Sequence, residues 1–397
     1  MSLAVPMIET DRELEKICAQ FATAKSLAID TEFMRERTFS PKLGLIQVSD
    51  GETHVLIDPL AVDSLRPFLD LLSNTDILKI LHAPREDLEI FFNLSGELCE
   101  PLFDTQTAAS FVGHGHSMSY QNLVRDLLGK TVQKVQTRTD WLRRPLSDAQ
   151  MQYAILDVVH LHPMVEILSR QLDESGRREW VEQEFRTLER IARDDDPMAY
   201  YRRVKQCWRL TRRQLGVLQL LCAWREEQAF ERDVLRPSVV PDDALLDLAR
   251  MQPTHRNELR SLKRLHPREI SRSGDAILAT IRKGKGLSDA ELPPSIPSPV
   301  SDPALLARVD FLTSAIRIRA MALRLSPEIL ARKKALEELV KRHTEGAEDP
   351  FPEVLQGWRK EILGDYLLRL LDGKIAFRIN PEDREPPLEM VELTPDS

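Results

Sequence analysis

The sequence lacks long apolar runs, paired cysteines and an N-terminal signal pattern. No apolar run reaches the roughly 18 residues that a membrane-spanning helix needs. No basic stretch followed by an apolar one stands at the N-terminus, so we expect no secretory signal. The four cysteines are scattered without a CxxC pair, which disfavours both a zinc site and a disulfide framework. These absences predict a reduced, cytoplasmic chain without a membrane segment.

Composition and charge favour a packed, multidomain protein. The 397 residues are 42% hydrophobic and 30% charged, and this length suits two or three domains. The net charge is −8, with the acidic excess in residues 1–190, whereas residues 207–290 carry a surplus of about five positive charges. The acidic part could hold cations, and the basic part could attract a polyanion such as nucleic acid. A well-solvated surface is the alternative explanation for the basic part.

The first 190 residues show the pattern of a mixed α/β domain. Strands are predicted over 26–33, 43–49, 53–58 and 77–82, and Asp50-Gly51 predicts a tight antiparallel hairpin. Helical periodicity covers 9–22, 63–73, 85–93, 105–112, 118–128 and 148–171. Three strands followed by alternating strands and helices predict a mixed sheet flanked by helices.

The rest of the chain is predicted to be helical, in two units. Asp194-Asp195-Asp196-Pro197 interrupts the first pattern, and the proline-rich stretch 287–303 separates the two helical units as a semi-rigid linker. The predicted domains are 1–195, 207–288 and 304–375. The acidic, proline-bearing end, 376–397, is predicted to be disordered.

Two acids end the first long apolar strand. Asp30 and Glu32 are two residues apart, so a β-strand would project them from the same face. Adjacent carboxylates repel each other, and a cation with a preference for oxygen ligands, such as Mg²⁺ or Mn²⁺, would remove that conflict. Two solvated acids on an edge strand are the alternative.

A third acid follows the strand predicted over 77–82. Pro84 suits the first turn of a helix, and Glu86 and Asp87 follow it. The helix dipole favours acids in this turn, which is a sufficient structural reason for both residues. Periodicity alone does not decide which of the two points towards a site.

A fourth acid lies on the helix that begins after Ser147. Ser147 is a good N-cap, and Tyr153 and Asp157 lie four residues apart on one helix face. An acid on such an apolar helix should be paired or bound to a metal. A Tyr–Asp hydrogen bond at the helix surface is the alternative.

Together these motifs resemble the DEDD superfamily of 3′→5′ exonucleases, in the subclass with tyrosine in its third motif. The matching residues are Asp30 and Glu32, then Asp87, then Tyr153 and Asp157. A closer resemblance, to the bacterial ribonuclease D family, rests on further segments, which are Leu43-Gly44-Leu45-Ile46-Gln47, Leu81-His82-Ala83, Asp104-Thr105-Gln106, Arg138-Thr139-Asp140-Trp141-Leu142 and Gly357-Trp358-Arg359. Pro84-Arg85 departs from the family pattern, which usually has a small residue there.

The resemblance implies a ribonuclease H-like exonuclease domain followed by two HRDC-type helical domains. It implies that two divalent metal ions, Mg²⁺ or Mn²⁺, support hydrolysis of phosphodiesters from RNA 3′ ends. Asp30 would bridge the ions, Glu32 and Asp157 would complete the site on the water side, and Asp87 would hold the second ion. Tyr153 would orient the attacking water, because a phenol with a pKa near 10 is a poor general base.

Further contacts with RNA are implied more weakly. Thr31 could contact the terminal ribose and Phe33 could stack on the terminal base, although Phe33 could equally be core. Phosphate contacts could come from basic residues, namely Arg35, Arg37, Lys42, Arg209, Arg212, Arg213, Arg260, Lys263 and Arg264. The expected partners are RNAs with free 3′ ends, such as tRNA precursors, and the expected state is a monomer. A related DNA exonuclease and an inactive RNA-binding module are the two alternatives.

Overall fold

A mixed β-sheet covered by helices forms the first part of the molecule. The computed structural model describes residues 5–35, 37–132, 139–190, 196–298, 302–379 and 388–393. The strands of the sheet are β1 (Met7–Ile8), β2 (Ser26–Met34), β3 (Lys42–Ser49), β4 (His54–Ile57), β5 (Leu78–Leu81) and β6 (Leu102–Asp104). The helices are α1 (Asp11–Phe21), α2 (Arg66–Ser73), α3 (Arg85–Ser95), α4 (Thr105–Phe111), α5 (Tyr120–Leu128), α6 (Asp148–Val159), α7 (Leu161–Glu174) and α8 (Arg178–Glu189).

The sheet has the predicted mixed topology. Its strand order is β1-β4-β3-β2-β5-β6, with β2, β3 and β4 antiparallel and with β5 and β6 parallel to β2. The predicted hairpin joins β3 and β4, but Ser49 pairs with His54, so the connection has four residues rather than two. The sequence pattern does not predict β1 or β6, because two or three residues are too few to show alternation.

Alternate side chains of β2 enter two different cores. Leu27 and Ile29 pack with α1, α2 and α3, whereas Ala28 packs in a second core with α4 to α7. Side chains two residues apart on a strand share a face, so Asp30 and Glu32 lie on the face of Ala28. Helix α6 packs on this face against β2, β3 and β4. The sheet therefore brings the first pair of acids towards the helix that carries the last one.

The helix predicted over 148–171 is two helices, α6 and α7, which meet at His160. The Tyr120 hydroxyl donates a hydrogen bond to the main-chain oxygen of Leu156 (2.6 Å). In an unbroken helix that oxygen would accept from the N–H of residue 160. Because α6 ends at Val159, Asp157 lies in its last turn.

The middle part of the chain is a separate helical unit, as predicted. It contains α9 (Arg212–Glu231), α10 (Arg236–Val239), α11 (Asp242–Met251), α12 (Arg256–Arg260) and α13 (Pro267–Lys285), preceded by short 3₁₀ helices at Pro197–Arg203 and Cys207–Arg209. The predicted apolar stripes of α9 and α11 are buried in its own core. Arg212 binds main-chain oxygens of Asp289, Leu292 and Pro293, which ties the start of the proline-rich linker to α9.

The last helical unit packs on the first, mixed α/β part of the molecule and shares its core. It contains α14 (Pro303–Leu323), α15 (Pro327–Leu330), α16 (Lys333–Thr344), a 3₁₀ turn at Glu353–Leu355 and α17 (Trp358–Leu371). The ring of Trp358, which is 1% exposed, stacks on Trp180 with centroids 5.4 Å apart and contacts Phe111 at 5.1 Å. Arg359 forms an ion pair with Glu184 (2.7 Å). An apolar interface therefore joins the last helical unit to α4 and α8 of the first part.

The prediction of a disordered tail over 376–397 is wrong for part of that range. Strands β7 (Ile375–Ile379) and β8 (Leu388–Glu392) form an antiparallel pair. The high charge and proline content of this segment conceals the two strands, which pair with each other. Residues 380–387 and 394–397, and Asp194 and Asp195 of the predicted domain break, lie outside the described residues.

Candidate active site

Three elements carry the predicted acids to one place. Strand β2 contributes Asp30 and Glu32, the first turn of α3 contributes Asp87, and α6 contributes Asp157. Burial raises the pKa of Asp30 well above its usual range, and the charges of Asp157, Asp87 and Glu32 raise it further. The other three carboxylates therefore interact electrostatically with Asp30, and we treat the four as one group.

Within the described residues, no positively charged side chain pairs with this group. Burial, followed by the charges of Asp157 and Asp87, raises the pKa of Glu32 to about 8. Burial alone raises the pKa of Asp157 to about 7. In the described part of the chain, no ion pair includes any of the four acids. Buried charges are normally paired or bound to metal, so this group calls for cations.

Asp87 is held by Thr31, a residue that was predicted to contact the terminal ribose. The Thr31 hydroxyl donates a hydrogen bond to Oδ1 of Asp87. This bond lowers the pKa of Asp87, but burial dominates and raises it to about 6. Thr31 is 6% exposed and points to the opposite face of β2 from Asp30. Its hydroxyl therefore positions a carboxylate, and any ribose contact is left to its main chain.

The turn into α3 is fixed by Asp104, a residue whose role the sequence reasoning did not identify. Ala83 has a positive φ of 56°, and its N–H donates to Oδ1 of Asp104 (2.8 Å). The same oxygen caps α4 through the N–H of Gln106 (3.0 Å). Pro84 occupies the N-cap position, just before the first turn predicted for it. The signal was present, since Asp104-Thr105-Gln106 belongs to the motifs that carry the resemblance.

Tyr153 shares its helix with Asp157, as predicted, and α6 begins with the capping box of Ser147 and Gln150. Burial raises the pKa of Tyr153 above its ordinary value, and the charges of Asp157, Glu32 and Asp30 add to this rise. The phenol therefore keeps its proton at neutral pH and is available as a hydrogen-bond donor beside the acids.

A buried tryptophan packs beside that phenol. The Trp141 ring lies 6.4 Å from the Tyr153 ring at an angle of 30°, and Trp141 is 4% exposed. Arg144 anchors this loop by pairing with buried Asp58 and donating to the main-chain oxygens of Trp141 (2.8 Å) and Gly44 (2.7 Å). A Cβ at Gly44 would come within 2.8 Å of the Trp141 carbonyl, so a side chain there would displace the loop.

Tyr120 and His82 connect the second and third motifs. The rings of His82 and Tyr120 meet edge to face with centroids 5.7 Å apart, and the Tyr120 hydroxyl holds the Leu156 carbonyl next to Asp157. Nε2 of His82 donates to the Met118 carbonyl (3.0 Å). The motif Leu81-His82-Ala83 could have drawn attention to His82, whereas no local signal marks Tyr120.

The donor set suits divalent cations that prefer oxygen, because all four acids are carboxylates and are short of positive partners. Within the described residues, no group of three or more His, Cys, Asp or Glu side chains is already arranged to hold a metal ion. Mutual repulsion of the carboxylates is a physical reason for this, since an ion is needed to draw them together.

The basic residues next to β2 are only partly free. Arg35 pairs with Glu89 of α3 through both guanidinium nitrogens (3.1 and 2.9 Å), so its role here is structural. Lys42 is exposed and lies 3.8 Å from Asp233. Phe33 is partly buried and packs against the core of α1 to α3, which leaves both predicted roles open to it.

Three family models match successive parts of the chain. A 3′-5′ exonuclease model matches residues 5–173, an HRDC domain model matches 214–281, and a model of the ribonuclease D C-terminal HRDC domain matches 311–367. Together with the sheet and its acids, they define a 3′→5′ exonuclease that carries helical HRDC domains.

Relatives of similar length narrow this class. The chain is 40% identical over 369 residues to ribonuclease D of Pseudomonas paraeruginosa, a match that covers 93% of this chain and 98% of that protein. It is 36% identical to ribonuclease D of Escherichia coli, covering 92% and 98%. The crystal structure of Escherichia coli RNase D, described as an exoribonuclease involved in structured RNA processing, has a TM-score of 0.82 at 35% identity, covering 94% of this chain and 99% of that one. The chain belongs to the ribonuclease D family.

This assignment confirms the predicted family, fold class and activity. The chain is an exoribonuclease with an exonuclease domain followed by HRDC helical domains, and its DEDD-type fold implies dependence on divalent metal. The described helices include none that is both long and apolar enough to cross a membrane.

Proposed function

We propose that Asp30, Glu32, Asp87 and Asp157 hold two divalent ions, Mg²⁺ or Mn²⁺, and that the enzyme releases 5′-mononucleotides from free RNA 3′ ends. The observation that carries this proposal is the group of four carboxylates with raised pKa values and, among the described residues, no cationic partner. Bound ions would activate a water molecule and stabilise the leaving oxygen of the phosphodiester. Asp30 would touch both ions, Glu32 and Asp157 the one on the water side, and Asp87 the other.

The remaining roles belong to uncharged groups. Tyr153 keeps its proton, so its hydroxyl donates a hydrogen bond that orients the attacking water, and the Trp141 ring limits where the phenol moves. Thr31 fixes Asp87 through its hydroxyl. Phe33 would stack on the terminal base, and the main chain at Thr31 would meet the terminal ribose.

We assign the substrate as structured RNA with a free 3′ end, with tRNA precursors as the leading example. Of the basic residues named for phosphate contacts, Arg37, Lys42, Arg209, Arg260 and Lys263 are exposed and remain candidates. Arg212 and Arg213 bind the linker, so their role is structural, and Arg264 forms an exposed ion pair with Asp243. The four free, buried cysteines suit a cytoplasmic enzyme, which we expect to be a monomer with the domain limits predicted above.

Two matched substrate pairs test the assignment. We expect Mn²⁺-dependent release of mononucleotides from RNA with a free 3′ hydroxyl and none from the same RNA with a blocked 3′ end. Asp30→Asn should abolish release and keep RNA binding. Preferred digestion of a DNA oligonucleotide of the same sequence would contradict the RNA assignment, and the absence of release with either metal would favour an RNA-binding module.

A further inference from the structure

Gln47 lies directly opposite Asp30 in the antiparallel pair of β2 and β3. Side chains directly opposite each other in such a pair share one face, with Cβ atoms roughly 5 Å apart. On its other side Gln47 pairs with Leu56 of β4, which lies in the core beneath α6. Gln47 is therefore placed on the same face as the acids, between Asp30 and apolar core.

The carboxamide of Gln47 is buried without partners. The residue is 0% exposed, and neither Nε2 nor Oε1 has a hydrogen-bond partner within the described residues. A carboxamide offers two donors and an acceptor, and buried polar groups in proteins are nearly always hydrogen-bonded. An apolar side chain would fill the same space without the free-energy cost of burying unpaired polar atoms. The presence of an amide here therefore suggests a function other than packing.

Among the strand neighbours of Gln47 on this face, Asp30 lies directly opposite and is the strongest candidate partner. Leu56 has no polar side-chain atom, and Oγ of Ser49 is already hydrogen-bonded with Nδ1 of His54 (2.7 Å). Asp30 offers acceptor atoms directly across the strand pair, and its carboxylate is among the acids that have no ion-pair partner within the described residues. The strand register thus places the unpaired amide N–H groups of Gln47 opposite a buried carboxylate that could accept hydrogen bonds from them.

We infer that Gln47 is a positioning residue, whose N–H groups donate to the Asp30 carboxylate when that carboxylate holds a divalent ion. This inference rests on the proposed function. A hydrogen bond from outside the coordination shell fixes which oxygen a carboxylate turns to its ion, and loss of such partners typically weakens metal binding by about 10- to 100-fold. In the ion-free protein the amide makes no such bond. We therefore expect Gln47 to increase the affinity for the divalent ion without stabilising the ion-free protein.

The experiment replaces the amide with an apolar side chain of similar length, Gln47→Met, in the full chain. Gln171→Met is the matched control, because Gln171 lies on α7, where its Oε1 is also buried and has no partner among the described residues. Mn²⁺ binding is measured calorimetrically without RNA, and thermal unfolding is followed in EDTA. We expect Q47M to bind Mn²⁺ about tenfold more weakly while its melting temperature in EDTA equals or exceeds that of the wild type. Q171M should bind Mn²⁺ like the wild type.

The outcomes separate this inference from the proposed metal site. If the wild type binds Mn²⁺ and Q47M binds it equally well, the inference is overturned and the metal site stands. If Q47M unfolds earlier in EDTA and loses Mn²⁺ affinity only in proportion to its unfolded fraction, Gln47 is merely structural and the inference is also overturned. If the wild type binds no Mn²⁺, the proposed metal site fails and the inference fails with it.

Discussion

Asp233 of the first HRDC domain accepts a hydrogen bond from the main-chain N–H of Phe39 (3.1 Å), a residue of the loop between β2 and β3. The Phe39 ring meets Phe230 edge to face at 5.9 Å, and the Arg236 guanidinium lies 4.5 Å from its centre. The same loop contains Arg35, which pairs with α3. The HRDC domain therefore contacts the loop that directly follows β2, the strand of Asp30 and Glu32.

We predict that Phe39→Ala lowers the free energy of unfolding by about 1–2 kcal/mol, because an aromatic pair and a cation–π contact are lost together. A double-mutant cycle with Phe230→Ala, followed by urea unfolding, should give a coupling energy of about 1 kcal/mol. Strict additivity of the two substitutions would show that the ring contact contributes nothing between the domains.

Tyr153→Phe should lower kcat by about 10²-fold through loss of water orientation, with Mn²⁺ and RNA affinities unchanged. Because the phenol is protonated in the folded enzyme, the variant should keep the wild-type pH profile between pH 6 and 9. Tyr366→Phe is the control, since that hydroxyl donates to the Ala315 carbonyl in the last helical unit and should not affect kcat. An unchanged kcat in Tyr153→Phe would remove the tyrosine from the mechanism.

Thr31→Val keeps the shape of the buried side chain and removes its hydrogen bond to Asp87. Because that bond lowers the pKa of Asp87, its loss should raise this pKa further and weaken Mn²⁺ binding about tenfold at neutral pH. Thr313→Val, which removes a hydroxyl from α14, serves as control. Calorimetric Mn²⁺ titration of both variants checks this, and equal affinities would argue that the hydroxyl serves another purpose.

The ion-free enzyme should lose stability as the pH rises. The pKa of Glu32 is about 8 in the folded chain, against roughly 4.3 in an unfolded one. The folded state thus binds more protons between these values, and stability falls with increasing pH across that window. In EDTA, Glu32→Gln should be increasingly more stable than the wild type from pH 5 to pH 8, by at most about 1.4 kcal/mol per pH unit.

Exposed Glu52→Gln provides the matched control for that measurement, since its difference from the wild type should stay constant across the same range. Saturating Mn²⁺ should reverse the loss of stability that the wild type shows at pH 8 in EDTA, because bound ions neutralise the ionised carboxylates. If the difference in unfolding free energy between Glu32→Gln and the wild type did not change with pH, the raised pKa of Glu32 would be contradicted.

Local patterns predicted much of the catalytic part. The alternation of β2 places Asp30 and Glu32 on one face, and the Ser147 cap and the four-residue spacing place Tyr153 and Asp157 on α6. These features depend on neighbours in sequence, so the sequence reveals them.

Contacts between distant segments could not be predicted in this way. The Thr31–Asp87 bond and the Tyr120–Leu156 bond each join different elements, and their partners depend on how those elements pack. The hydrogen bond from Tyr120 lies at the point where one long helical pattern becomes two helices, and Pro163, which has no N–H for the Val159 carbonyl, favours a break at the same point. Chain periodicity carries no information about a hydroxyl that arrives from elsewhere.

The stacking of Trp358 on Trp180 has a consequence for how the protein is made. A ribosome that has finished α8 has still to synthesise residues 190 to 371, which takes about 10–40 s at bacterial rates. Throughout that interval Phe111 and Trp180 have no partner ring from α17. The exonuclease domain is thus synthesised first, but its core is complete only after α17 has been made. Until then, the unpaired apolar surface of the nascent chain is accessible to chaperones and proteases.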